Sequence, residues 1–361
     1  MTHKERILAA VQGKKLDKPC YTAWGPHYNL EDRSAKDLAT AMINFQRAND
    51  FDLIKVMPSG MYFTEAFGQT IHPIHDMDVD AWRNVEKFVI NDPKQWLEVT
   101  PKKIQGNALA REVECVKRIN DYFQGDVPVL PTMFSPWIWM GEMTGGFFRQ
   151  EMIIDHARYH RDYCRKGLQV IEETVQATML AMVEAGAAGF FFGVQVGMAE
   201  KMGQDLFDEF EKAPCFRVLN AVKGKTYFTM AHICNGTAKG TEMYLDFPVE
   251  ALNWADWSKK HHSLGEMRKR SDKVLMGGIA NGNDNRSHRD TGIVQDDFYG
   301  ENRDDVKAHI RKKVEAAIDQ AGDKLVISGG CGFGWNAHHR FPVWHEVMEE
   351  VAEARAKGKK Y

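Results

Sequence analysis

The apolar positions of this chain fall in short blocks, and longer amphipathic stretches separate them. Pro19–Trp24, Phe51–Met57, Val127–Phe134, Gly189–Val196, Thr226–Ile233, Ala251–Ala255, Lys273–Ile279 and Lys324–Ser328 each read as a strand. Most are nearly continuous in apolar residues, which marks strands of a parallel sheet covered on both faces. Helical patterns lie between them. Ser34 caps one that runs through Asn49. Ala108–Phe123 repeats apolar residues at Ala110, Val113, Val116 and Ile119, and His156–Ala185 reads as one long helix closed by Gly186. Asp205–Val222, Thr237–Leu245, Leu264–Arg270, Asp304–Gln320 and Val343–Ala356 complete the set. At the start, Thr2 and Glu5 form a capping box for a helix over Lys4–Gln12 that stops at Gly13. About eight strand–helix units in one chain predict an α/β fold, a (β/α)8 TIM barrel, with a doubly wound open sheet as the second choice. No linker-like stretch divides the chain, so residues 1–361 are expected to form a single domain.

Composition narrows the function without naming it. The chain has 361 residues, 43% of them hydrophobic, ample for one large core. A net charge of −3 gives no bulk attraction to nucleic acid or to an acidic membrane. No apolar run is long enough to span a bilayer, and none follows a basic start as an export signal would. The six cysteines are scattered, and in such a chain they are expected as thiols or ligands in the cytoplasm, not as disulfides. The polar, turn-rich segment Ala280–Asp305 follows a strand, which in a barrel places it on the active face or makes it a solvated insertion.

The chemistry gathers at two strand ends. His232-Ile-Cys234 closes the strand Thr226–Ile233, and residues two apart on a strand point to one side. Cys331 follows the strand Lys324–Ser328 in a glycine-rich loop. An imidazole and two thiolates suit zinc, and three protein ligands leave a fourth position for substrate, the catalytic arrangement. A buried strand cysteine is also commonly a small hydrophobe, and Gly330-Cys-Gly-Phe-Gly334 also fits a phosphate cradle after a late barrel strand. That second chemistry would make the protein a metal-free lyase acting on a small organic acid.

AHICNGT, LMGGIANGN and VISGGCGFG, in that order and spacing, resemble the uroporphyrinogen decarboxylase superfamily, as does the opening THKERILAAVQGKKLDKP. The likeness runs along essentially the whole chain. It implies a TIM barrel and one of two chemistries: metal-free decarboxylation, or zinc-dependent methyl transfer from a corrinoid, as in the methylcobamide:coenzyme M type. His232, Cys234 and Cys331 match the H-x-C…C zinc motif of the second branch position by position. The decarboxylase branch carries an arginine-rich segment after the first strand to hold tetrapyrrole carboxylates. Here that place reads Tyr-Thr-Ala-Trp-Gly-Pro-His-Tyr over 21–28, without an arginine, so tetrapyrrole decarboxylation is disfavoured. Two departures from the methyltransferase pattern stand out: Asn235 where a glycine commonly follows H-x-C, and a longer 280–305 segment.

The resemblance implies a methyltransferase moving a methyl group between a corrinoid, free or on a partner protein, and a small-molecule thiol or related acceptor. Zn2+ bound by His232, Cys234 and Cys331 is its expected cofactor. Glu65 is the candidate for a weak fourth ligand that substrate displaces. Gln195, at the end of its strand, is placed to hydrogen-bond a substrate head group. Trp24, His27 and Tyr28 follow the first strand, and their rings would line the mouth against a flat corrinoid.

Overall fold

In the computed structural model, residues 1–25, 28, 30–71, 85–145, 150–281, 297–298, 300–333 and 335–358 are described. Eight parallel strands form the centre: β1 (Cys20–Tyr21), β2 (Ile54–Lys55), β3 (Val129–Leu130 and, beyond Pro131, Thr132–Phe134), β4 (Phe191–Gln195), β5 (Met230–Cys234), β6 (Ala251–Asn253), β7 (Val274–Ile279) and β8 (Leu325–Gly329). Seven of them follow the order β1-β8-β7-β6-β5-β4-β3, and β2 pairs with the first part of β3. The seam between β1 and β2 is joined by the Asp52 N–H donating to the Tyr21 carbonyl at 2.9 Å and the Thr22 hydroxyl donating to the Leu53 carbonyl at 3.0 Å. The result is the TIM barrel that the alternating pattern predicts. No helix among the described residues is long and apolar enough to cross a membrane.

Helix α1 (His3–Val11) precedes the barrel, with the Thr2/Glu5 capping box formed as read from the sequence. Outer helices then follow the strands: α2 (Ala35–Asn49), α3 (Ala108–Phe123), α4 (Arg161–Glu184), α5 (Ala213–Val222), α6 (Ala238–Glu242), α7 (Leu264–Arg268), α8 (Arg303–Ala321) and α9 (Phe341–Ala356). Ser34 and Asn107 cap α2 and α3 with their side chains, and Asn302 caps α8. Apolar side chains fill the space between strands and helices, with Trp96, Trp137, Trp139, Trp254 and Trp344 fully buried there.

Most expected elements shift at their ends, the strands expected over Pro19–Trp24 and Phe51–Met57 shortening to Cys20–Tyr21 and Ile54–Lys55, and three differ for a visible local reason. The long helix over His156–Ala185 is two helices, Gln150–Tyr159 and α4, because His160 leaves helical geometry at φ −133°, ψ 45°. The helix over Asp205–Val222 widens to π geometry over Phe207–Lys212 before α5. Pro214 lies just beyond, and its ring cannot sit against the carbonyl four residues back in a regular turn. The strand expected over Thr226–Ile233 begins its ladder at Met230 and extends to Cys234, since Tyr227 and Phe228 both turn their N–H groups to the Ala188 carbonyl. Residues 282–296 and 299 of the expected insertion lie outside the described residues.

Candidate metal centre

β5 ends with His232 facing the barrel interior and Cys234 two residues further on the same face. Cys331 lies two residues beyond the end of β8. β6 and β7 separate β5 from β8 in the sheet. Curvature of the barrel nevertheless brings one nitrogen of His232 and the sulfurs of Cys234 and Cys331 within 4.8 Å of one another. Two sulfurs bound to a tetrahedral zinc at about 2.3 Å sit about 3.8 Å apart, so the trio fits the ion with little movement. None of the six cysteines forms a disulfide. Cys20, Cys115, Cys164 and Cys215 are buried packing residues whose thiols are pushed upward in pKa by burial.

The histidine is oriented by Asn253, a fully buried residue that stands opposite it in the β5–β6 ladder. The Asn253 amide nitrogen donates to the Met276 carbonyl at 3.0 Å and to the Gly329 carbonyl at 2.9 Å. Carbonyls only accept, so the other amide atom, 2.7 Å from His232 Nδ1, is the oxygen. Nδ1 therefore carries the hydrogen, and Nε2 keeps the lone pair a metal requires. The same amide anchors Gly329, two residues before Cys331. One side chain thus positions both halves of the grip.

Glycine at 330 has a steric cause. A Cβ there would lie 2.6 Å from the Ala255 Cα and 2.8 Å from the Trp254 carbonyl, so only glycine lets the Cys331 loop lie against the backbone just beyond β6.

Comparison with known proteins meets this geometry from outside. The family model described as uroporphyrinogen decarboxylase (URO-D) matches residues 2–282. The chain belongs to that family. Cys331 lies beyond the matched stretch. A methyltransferase from Methanosarcina mazei shares the fold, with a TM-score of 0.69 at 19% identity over 97% of this chain and 99% of that one. A B12-independent methionine synthase from a Shewanella species, solved with selenomethionine, aligns with a TM-score of 0.54 at 15% identity over 94% of each chain. At these identities the likeness is one of fold. No curated protein matches the chain.

Within the family frame, Asn235 takes a left-handed conformation at φ 63°. Asparagine tolerates that region better than most residues, which explains how it stands in a glycine's place.

The remaining expected site residues are placed as follows. Gln195 is buried at the end of β4, in register with Cys234 on β5. Trp24 is not at an open mouth: it is 1% exposed and sets its ring edge on Phe191 at 5.3 Å. Tyr28 is half-buried, and burial raises its phenol pKa. His27 lies outside the described residues. Glu65 stands apart from the trio, its carboxylate bound by Arg111 Nη1 at 3.3 Å and Nη2 at 3.1 Å.

Two site residues were missed by sequence reasoning: Asn253 and Lys55. The signal was available in both, as a polar side chain interrupting an apolar strand of a sheet covered on both faces. Lys55 closes β2 and is 8% exposed. Its Nζ lies 4.4 Å from the Phe191 ring centroid and 2.7 Å from the Met57 sulfur. Phe191 in turn stacks on His232 with centroids 4.6 Å apart. Burial pushes the Lys55 ammonium down to about 7, while the charge of Cys331 acts in the opposite direction.

Proposed function

We propose that the protein transfers a methyl group between a corrinoid and a thiol, using zinc held by His232 Nε2 and the sulfurs of Cys234 and Cys331. The convergence of these three donor atoms within 4.8 Å, with the histidine tautomer set by Asn253, supports this reading most strongly. A zinc ion in this grip supplies the positive charge that lets a thiol bind as its thiolate at neutral pH. The chain's own residues then bind, orient and exclude water. Two thiolate ligands balance the charge of a divalent ion, which keeps an incoming sulfur electron-rich. Phe191 and Trp24 wall the interior with apolar surface and keep water from the reacting sulfur. Gln195, in register with Cys234, offers its amide to the acceptor. With a corrinoid as methyl donor, the thiol proton would leave to solvent and the sulfur would take the methyl group, the electron pair of the broken bond staying with the corrinoid. A corrinoid, free or on a partner protein, approaches the face formed by the strand ends.

Elemental analysis of the purified protein tests this. One zinc per chain, lost in Cys234→Ser and in Cys331→Ser together with turnover of methylcobalamin and thiol, is the expected result. Absence of zinc after add-back under reducing conditions would overturn it.

A further inference from the structure

Cys331 is the donor of the trio that regular structure does least to place. His232 and Cys234 belong to β5, where the ladder pairs them with Asn253 on β6 and Gln195 on β4. Cys331 lies beyond the end of β8, between Gly330 and Gly332. Glycine loses more backbone freedom on ordering than any other residue, so this stretch needs outside support to hold one shape. Asn253 holds its near side through the Gly329 carbonyl. Its far side is held by Asn281, which lies two residues beyond the end of β7 and is 1% exposed. Asn281 Nδ2 donates to the Gly332 carbonyl at 3.1 Å. Asn281 Oδ1 accepts from the Trp257 indole Nε1, also at 3.1 Å. An indole N–H only donates and a carbonyl only accepts, so the two contacts together admit one orientation of the amide. Cys331 therefore lies between two tethered carbonyls, with the segments that follow β6, β7 and β8 tied together around it.

We propose that Asn281 is a positioning residue for Cys331, fixed by Trp257 and holding the loop in its ligating place before the ion arrives. This rests on the zinc reading for what Cys331 binds, whereas the tether itself stands without a metal. Asn281 bonds the backbone one residue beyond the ligand, so it sets where the sulfur lies without touching it. An untethered Cys331 would sample many positions, and the cost of ordering it would then fall on metal binding. His232 and Cys234 stand on a paired strand and do not depend on this tether. Its loss therefore loosens one thiol of the two. Outer partners of metal ligands typically change metal affinity by about 10–100-fold.

The test begins with the metal-free, reduced protein. Alkylation of each cysteine by iodoacetamide is followed by mass spectrometry, in which half-buried Cys234 serves as the internal reference for half-buried Cys331. Asn281→Ala should raise the Cys331 rate severalfold relative to the Cys234 rate. Trp257→Phe, which keeps the bulk of a ring and removes the N–H, should move the same ratio in the same direction, and it serves if the alanine variant does not fold. In cobalt-substituted protein, Asn281→Ala should bind the metal about tenfold or more weakly in chelator competition. Its sulfur-to-cobalt absorption band should fall toward that of Cys331→Ser. An unchanged alkylation ratio in either variant, an equal rise at both cysteines that marks general loosening, or an unchanged cobalt affinity and band would overturn the proposal. If the unaltered protein takes up no cobalt, the zinc reading fails, and the alkylation ratio alone decides for or against Asn281.

Discussion

Asn253→Ala isolates the side chain that joins the two halves of the grip. Asn253 is fully buried and makes hydrogen bonds of 2.7 Å with His232, 3.0 Å with the Met276 carbonyl and 2.9 Å with the Gly329 carbonyl. Truncation frees the imidazole to rotate and change tautomer, and loosens the loop that carries Cys331. Loss of such an outer hydrogen bond typically costs about 10–100-fold in metal affinity, or roughly 1.4–2.7 kcal/mol. It also removes a donor from two buried carbonyls, of which Gly329 keeps the Ser328 hydroxyl at 3.2 Å, at about 1–3 kcal/mol in total before neighbours readjust. Chelator competition would read the first effect and urea unfolding of the metal-free protein the second. A double-mutant cycle with His232→Ala then asks how Asn253 acts. If it works through His232, the second truncation lowers metal affinity much less in the His232→Ala background than in the unaltered protein. Metal affinity within threefold of the parent in Asn253→Ala, or full additivity with His232→Ala, would refute the reasoning.

Three further outcomes follow from other parts of the fold. Gly330→Ala should weaken metal binding, because its Cβ meets the Ala255 and Trp254 backbone, whereas Gly332→Ala, with nothing within 4 Å, should not; equal effects in chelator competition would contradict this. Asp52→Ala should destabilise the protein by about 3–5 kcal/mol in urea unfolding, since fully buried Asp52 pairs with Arg6 and accepts the Tyr21 N–H at 2.9 Å; a change under about 1 kcal/mol would count against it. His3 bonds Asp50 at 3.0 Å and Asp126 at 3.2 Å, and the Asp50 bond foremost raises its pKa above the ordinary value of 6.5. The stability His3 contributes is therefore full below about pH 6.5 and is lost as pH rises through its folded-state value. The melting-temperature gap between the parent and His3→Gln should shrink over that rise, and a gap independent of pH would exclude this staple.

The barrel was legible because its strands are buried on both faces and separated by helices of clear periodicity. Their ends were less legible, since an apolar residue reads the same whether or not it has a ladder partner. Tyr227 and Phe228 continue the apolar run of β5, yet they bond back to Ala188 before any pairing begins. The break at His160 had no glycine or proline to announce it, and no side-chain cap marks the start of α4. His232 and Cys234 could be paired from their spacing alone. Cys331 needed the barrel, because it reaches them only when the sheet curves. Trp24 shows the opposite failure: an aromatic after a strand was read as lining a mouth, but the chain folds it inward onto Phe191. Glu65 stands outside the trio, and its partner Arg111 lies 46 residues away in sequence, beyond any local pattern.

The interior polar residues share a logic that apolar patterning conceals. Asn253, His232 and Lys55 each interrupt a strand that would pack more simply with an aliphatic side chain. The first two satisfy each other and two backbone carbonyls, so their burial gives rigidity at modest cost. Lys55 differs, because a sulfur and a ring face stabilise an ammonium far less than a carboxylate would. A barrel selected for stability alone would replace it with methionine or leucine. Its position against the ring that also supports His232 ties its cost to the same centre.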